Sequence, residues 1–440
     1  MKLFFVSIIL LFFYSCSFDD KTGIWKNENI LKEKDNIFKD FEKLSIDTEV
    51  FNKTIIADKE YKFSISKRIS NSAWSDIFFN ENNNFKNFEY ENLNKISYKS
   101  KKLSKHNLNH HILYDNDNII TSDISGNLII NSLIEKFKTK KFNFYKRKYK
   151  KIEKKLNLAL ENETIFVSDN LGYLYAYDYK KEKIIWAKNY KVPFRSNIKI
   201  INDKLVAANQ NNNLYFFSKA DGNILKSFPT EETIVKNEFI NNISSNKKSI
   251  FFLNTFGTLY SINKKSLRLN WFINLNQTLD LRPSNTFLSN QIVNNEKKIV
   301  ISSRDYTYLI DSNSGSIILR FNFGSNTKPI ILDDYLFLVS NNSFLISLEL
   351  KTGKIIYSYD LNEKISNFYN VKKRKIFTKN IAILSDNIYI FLENSYLIKF
   401  NIFGDLLEVN KLPSKLRSFP IFVKKNIIFL SKKKKIIMIN

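Results

Sequence analysis

The chain has 440 residues, 43% of them hydrophobic, with 69 Lys and Arg against 43 Asp and Glu and a single cysteine. This apolar content is too high for a disordered chain, and one cysteine rules out a disulfide-stapled scaffold. The net charge of +26 suggests a nucleic-acid partner, but Lys, Asn, Ile, Phe and Tyr are enriched together, as A/T-rich codons would enrich them. The basic runs 146–155 and 432–435 hold too few interleaved Gly, Arg and aromatic residues for a base-stacking platform, so no nucleic acid is expected.

In chain order, Met1-Lys2 precedes an almost wholly apolar stretch, 3–14, followed by Ser15 and Cys16. The stretch is shorter than the roughly 20 residues a spanning helix needs, which predicts a signal peptide over 1–15. A lone Cys at that point resembles a bacterial lipobox, with Phe13 and Tyr14 departing from its usual residues. The resemblance implies a lipidated Cys16; the alternative is an ordinary signal peptide with an incidental Cys. Residues 16–59 are polar and read as a tether. Within it Ile30, Leu31, Ile37, Phe38, Phe41 and Leu44 have the spacing of a short amphipathic helix. Residues 61–69 alternate and predict an added strand.

From about Asn94 a repeat takes over, within a domain read as 60–440. Each copy has a short apolar strand, a polar turn, then an anchoring Leu or Ile in a further strand. The anchors are Leu128, Leu174, Leu214, Leu259, Leu309, Leu345, Leu397 and Ile436, seven steps over 308 residues, a mean of 44. A period in the 40s built only of strands predicts a β-propeller. A further strand follows each anchor, as at 183–186, 268–272 and 354–359. This gives four strands per blade and eight blades. Only nine Gly are present, and Asn fills many turns because it tolerates φ > 0. The last copy stops four residues past Ile436, so its fourth strand must come from elsewhere. Residues 95–99 are placed to supply it and close the ring. The fold class is therefore all-β, an eight-bladed β-propeller of four-stranded blades closed by an N-terminal strand, behind a lipoprotein signal peptide and a short tether.

The units 178–186, ending in Trp186, and 349–357, ending in Tyr357, resemble the quinoprotein-like repeat, whose terminal aromatic docks between blades. Such a ring behind a lipobox resembles the BamB family of outer-membrane assembly lipoproteins. Residues 71–74 with Asn82 and Asn83, and 192–196 with Arg195, resemble segments of its alphaproteobacterial branch. The docking Trp recurs only at Trp186 and Trp271.

The resemblance implies a non-catalytic scaffold on the periplasmic face of the outer membrane, lipid-anchored, a monomer within a complex. It grips the POTRA region of a BamA-type barrel protein through inter-blade loops. Leu279, Asp280, Leu281 and Arg282 match the family's apolar-x-apolar-Arg turn, and Glu231, Glu232 and Glu238 its acidic residues. Two apolar anchors beside an Arg suit a small specific contact. The blander reading has Leu279 and Leu281 capping the core. No cofactor or metal is expected. His106, His110 and His111 cluster, but adjacent strand residues point to opposite faces. Two alternatives stand beside the scaffold: a PQQ-dependent dehydrogenase-like enzyme, and a surface adhesin or polysaccharide-binding propeller, whose sign would be an exposed aromatic platform in a groove.

Overall fold

The computed structural model describes residues 17–18, 25–26, 51–135, 138–232, 242–276, 286–372 and 375–440. The chain divides into two units, Met1–Glu49 and Val50–Asn440. In the first, Ser17–Phe18 pairs antiparallel with Trp25–Lys26. The signal peptide, Cys16 and the helical pattern at 30–44 lie outside the described residues.

In the second unit, the described residues form eight sheets of four or five strands, and these are the blades of a propeller. Blades 1 to 7 span 113–143, 156–189, 199–228, 242–274, 293–321, 330–360 and 378–411. Blade 8 takes three strands from 421–439 and its outermost strand, Ile96–Lys99, from the N-terminal side. Without that strand the third strand of blade 8 would present an open edge. All eight anchoring residues lie in third strands, and none is more than 2% exposed.

The strand residues explain their positions. First, second and third strands carry Ile, Leu, Val and Phe on both faces and are buried on both, as between stacked blades. Fourth strands are the most exposed of each blade, except in blade 6, where Ile355–Asp360 is buried at four of its six positions. Lys183–Asn189 is exposed at every second residue, because one face looks to solvent. In blades 2 to 7 a bulge interrupts the pairing of third and fourth strands, which adds local twist at the rim.

Neighbouring blades are locked by one recurring contact. In blades 2, 4 and 5 a fourth-strand side chain lies on a left-handed turn residue of the next blade. Trp186 covers Gly222 (φ 74°), Trp271 covers Gly315 (φ 76°) and Leu319 covers Gly353 (φ 73°). The indole N–H groups of Trp186 and Trp271 donate to the carbonyls of Lys219 and Ser312 at 3.1 and 3.3 Å. Where Lys replaces the aromatic, a polar contact takes over. Lys140 pairs with Glu182 at 2.6 Å, and Lys226 donates to the Leu267 carbonyl at 2.6 Å. Glu182 and Leu267 hold the same left-handed backbone as the glycines, at φ 55° and 54°. This is how the repeat tolerates losing most of its tryptophans.

Two segments differ from the sequence reading. Residues 51–59, read as the end of the tether, lie on the propeller: the Phe51 ring packs at an angle on Phe323 and edge-on to Phe344, and Ile55 bridges Ser358 of blade 6. Apolar Phe51 and Ile55 gain burial there that a solvated tether would forgo. Residues 61–69 are extended but form no ladder. Ser64 and Ser66 N–H groups donate instead to Tyr335 and Asp333 side chains.

Candidate functional site

A ring of eight blades leaves an axis lined by first strands, whose inner edges carry unpaired backbone groups. Here the chain fills that axis itself, with residues 71–92, and this segment touches all eight blades. Trp74 exchanges two backbone hydrogen bonds with Tyr114 of blade 1, and the Ser75 carbonyl accepts from Leu160 of blade 2. In blade 3, Lys199 donates to Asp76 at 2.7 Å and to Asn83 at 2.6 Å. Ser245 of blade 4 donates to the Glu81 carbonyl, and Asn294 of blade 5 to that of Asn82. Asn84 forms a two-bond pair with Ile331 of blade 6, at 2.7 and 2.9 Å. Asn87–Phe88 lies parallel to the first strand of blade 7, and Asn71 donates to the Phe422 carbonyl of blade 8 at 2.8 Å.

Asparagine suits this work because one side chain both donates and accepts, as a peptide group does. Asn83 is fully buried. Its amide donates to the carbonyls of Ile243 and Ile292 at 3.0 and 2.9 Å while its oxygen accepts from Lys199. Two lysine amines are buried here, and only one of them bonds to a carboxylate. Lys199 has Asp76; Lys328 has only the carbonyls of Phe78 and Asn83, at 3.3 and 2.6 Å. Burial, with Lys199 nearby, holds the Lys328 amine well below the usual lysine range.

At the end of the axis where inter-blade loops gather, a cavity of about 660 Å³ opens, lined by Phe78, His111, Asn341, Thr378, Lys379 and Phe419 among others. An inner pocket of about 60 Å³ shares Phe78, Lys379 and Phe419 and reaches Lys328 and Asn380. Burial pushes the Lys379 amine down to about 8 against the opposing pull of Glu393. His111 sits between Phe78 and Phe419, and burial lowers its imidazole to about 4. His110 Nδ1 lies 3.1 Å from the Arg417 carbonyl. Among the described residues no three His, Cys, Asp or Glu stand together as metal ligands.

Of the residues singled out from sequence, three are described. Arg195 is half-buried in the loop joining blades 2 and 3, its N–H donating to the Ala208 carbonyl at 3.0 Å, beside the buried Phe194. Glu231 lies at the joint of blades 3 and 4, where Tyr260 and Thr258 donate to its carboxylate at 2.6 and 3.0 Å and Asn254 donates as well. Its carboxylate is thus spent on holding blade 4, while Glu232 beside it is exposed. These residues occupy adjacent joints. Leu279, Asp280, Leu281, Arg282 and Glu238 lie outside the described residues. Sequence reasoning missed Asp76, Lys199, Lys328, Lys379 and Asn380. The available signal was a Lys interrupting apolar runs, as in Ile198-Lys199-Ile200.

Repeated four-stranded blades joined by an aromatic on a left-handed turn define a β-propeller of quinoprotein-like repeats. Residues 139–359 match the family described as outer membrane protein assembly factor BamB. The chain belongs to the BamB family. Its fold is similar to the crystal structure of BamB from Moraxella catarrhalis, with TM-score 0.61 and 11% identity over 79% of this chain and 99% of that one. It is also similar to the computationally designed Ika8 protein, with TM-score 0.57 and 8% identity over 77% and 99%. The quinohemoprotein alcohol dehydrogenase of Comamonas testosteroni gives TM-score 0.59 and 8% identity over 83% and 80%. At these identities the likeness is one of fold. No curated protein sequence matches the chain. No helix among the described residues is long and apolar enough to cross a membrane.

Proposed function

We propose that the protein is a non-catalytic scaffold for the assembly of outer-membrane β-barrels. In this reading it is tethered through a lipidated Cys16 to the periplasmic face of the outer membrane and docks on the POTRA region of a BamA-type protein. The observation that carries the reading is the family match over 139–359. The filled axis supports it. With the inner strand edges satisfied by residues 71–92, those edges are closed to a partner while the inter-blade loops stay open.

Among those loops, Leu279, Leu281 and Arg282 form the proposed anchor, with Asp280, Arg195, Glu232 and Glu238 around it. Glu231 belongs to the joint, so its loss is expected to loosen blade 4 rather than the contact. A central Leu or Arg costs about 2 kcal/mol or more on truncation. Leu281→Ala with Arg282→Ala is therefore expected to weaken binding to purified BamA-type POTRA domains more than tenfold, with an unchanged melting temperature. Lys433→Ala with Lys434→Ala is the control and should leave binding intact. Wild-type binding by the loop variant alongside failure of the control would overturn the assignment. Cys16→Ala should move the protein from the membrane to the soluble fraction; continued membrane association after a salt wash would remove the anchor from the proposal.

A quinone-dependent enzyme is the second reading, favoured by the fold likeness to the alcohol dehydrogenase. A quinone released by denaturing the purified protein would decide for it.

A further inference from the structure

The loop from blade 6 to blade 7 holds the single α-helix among the described residues, Leu361–Tyr369. Asp360 caps its start, accepting from the N–H groups of Asn362 and Glu363 at 2.8 and 3.4 Å. Leu361 and Ser366 are buried and Ile365 packs on the core, which accounts for one face. The far end is different. Asn370 turns the chain back at φ 52°, and the Val371 N–H returns to the Ser366 carbonyl at 3.0 Å. In such a stop an apolar residue after the turn commonly packs on the helix it ends. Here Val371 is 57% exposed, and Phe368 and Tyr369 before it are 47% and 46% exposed. All six residues from Asn367 to Lys372 are exposed, so they form a projecting tip with three adjoining apolar side chains.

The charge around this tip has one sign. From Lys364 to Ser385 the sequence carries six Lys and Arg and no Asp or Glu. Lys372 and Lys375 are exposed, and the Lys375 ammonium lies 5.4 Å from the ring of the exposed Phe377. The one acid of the helix, Glu363, is in its first turn, at the end away from the tip. Exposed apolar and aromatic side chains beside lysines suit the headgroup boundary of an anionic bilayer, where rings sink and ammonium groups meet phosphates. A protein partner is disfavoured, because protein contacts deplete lysine, whereas a bilayer takes positive charge in any register. The position of the tip agrees. Phe51, where the described propeller unit begins, packs on Phe344, and the neighbouring Ser343 carbonyl accepts from the Leu361 N–H at 2.9 Å. The chain toward Cys16 thus leaves the propeller at the corner that bears the helix.

We infer that this tip, Phe368, Tyr369 and Val371 with Lys372 and Lys375, is a membrane-surface contact that seats the propeller on anionic phospholipid. The inference takes its setting from the proposed function, but the contact needs neither an acyl chain nor the docking loops, so each can fail without the other. Because charge holds the contact, a salt wash releases it, and fractionation of Cys16→Ala still decides the anchor.

The test is co-sedimentation of residues 16–440 carrying Cys16→Ala, so that no acyl chain contributes, with two kinds of vesicle. One is equal parts phosphatidylglycerol and phosphatidylcholine, the other phosphatidylcholine alone. Binding is expected to the first and to fall as salt is raised. Phe368→Ser with Val371→Ser should lower the partition at least about tenfold, by removing the side chains that enter the boundary. Lys372→Ala with Lys375→Ala should lower it about thirtyfold, the effect of two surface cations. Lys180→Ala with Lys181→Ala removes the same charge from an exposed turn at the opposite end of the blades and should change little. All these positions are exposed, so melting temperatures should match that of the parent. Four outcomes would each overturn the inference: no sedimentation with the anionic vesicles; equal losses in the two lysine variants, which would leave only the overall charge of the chain; indifference to the loss of Phe368 and Val371; or weakened binding of POTRA domains by the tip variants with vesicle binding unchanged, which would make the tip a protein contact.

Discussion

Replacing Asn83 by Ala probes the axis directly. The residue is fully buried, donates to Ile243 and Ile292 of two blades and accepts from Lys199 of a third. Its loss strands two carbonyls and removes one of the acceptors of a buried ammonium. A neutral hydrogen bond contributes about 1 kcal/mol and one to a charge about 1.5–3 kcal/mol. Asn83 also holds φ 57°, a conformation that costs Ala roughly another 1 kcal/mol. The expected loss is therefore about 4–6 kcal/mol, a large part of the stability of a typical domain. Urea unfolding followed by tryptophan fluorescence measures it, with an unchanged denaturant slope showing that the folded state persists. Asn80→Ala is the matched control, because the Asn80 side-chain oxygen has no partner. It should cost less than about 1 kcal/mol. If the two variants lose similar stability, the axial hydrogen bonds do not hold the ring and the argument fails.

Gly222→Ala is expected to cost about 3 kcal/mol or more, since a Cβ there would sit 2.5 Å from the Trp186 ring at φ 74°. In a double-mutant cycle Trp186→Ala should relieve most of the excess; additive losses would show that the ring does not rest on that turn. The buried His111 predicts acid sensitivity. Its folded value is about 4 against 6.5 for a free imidazole, so between those pH values the unfolded chain takes up a proton that the folded one refuses. Stability should fall as pH drops through that window, by about 3 kcal/mol, and His111→Phe should flatten the fall. An identical pH profile in the variant, read by thermal unfolding, would place the acid sensitivity elsewhere.

Much of the fold was legible because its signals are local and repeated. Leu174 and Leu259 announce third strands through a few neighbouring residues, and all eight such anchors are buried in that role. Trp186 was readable as a joint residue, and the structure adds what it rests on. The axis was not legible. Residues 71–92 have no period, and their partners are remote: Asp76 meets Lys199 across 123 positions and Asn84 meets Ile331 across 247. Asn and Asp in such a stretch look like ordinary turn residues. For the site, Glu231 reads as a free acid in sequence because nothing local shows that Tyr260 and Thr258 will claim it. The residues lining the axial cavity come from the axial segment, from the starts of five blades and from turns after second strands, and no short window contains two walls of it.

A string of repeats ordinarily frays from its ends, since each unit knows only the next. The filled axis changes that arithmetic. One segment of about twenty residues is a neighbour of every blade, so opening any blade breaks contacts with the member that all the others share. The molecule then has no weak end and should come apart in a single step, despite its length. The same arrangement sets an order of assembly. The segment is synthesised ahead of all eight blades but finds its last partners, Phe422 and Lys425, only when the final copy has been made. Folding of this ring therefore waits for the whole chain: its first-made part is the last to be satisfied.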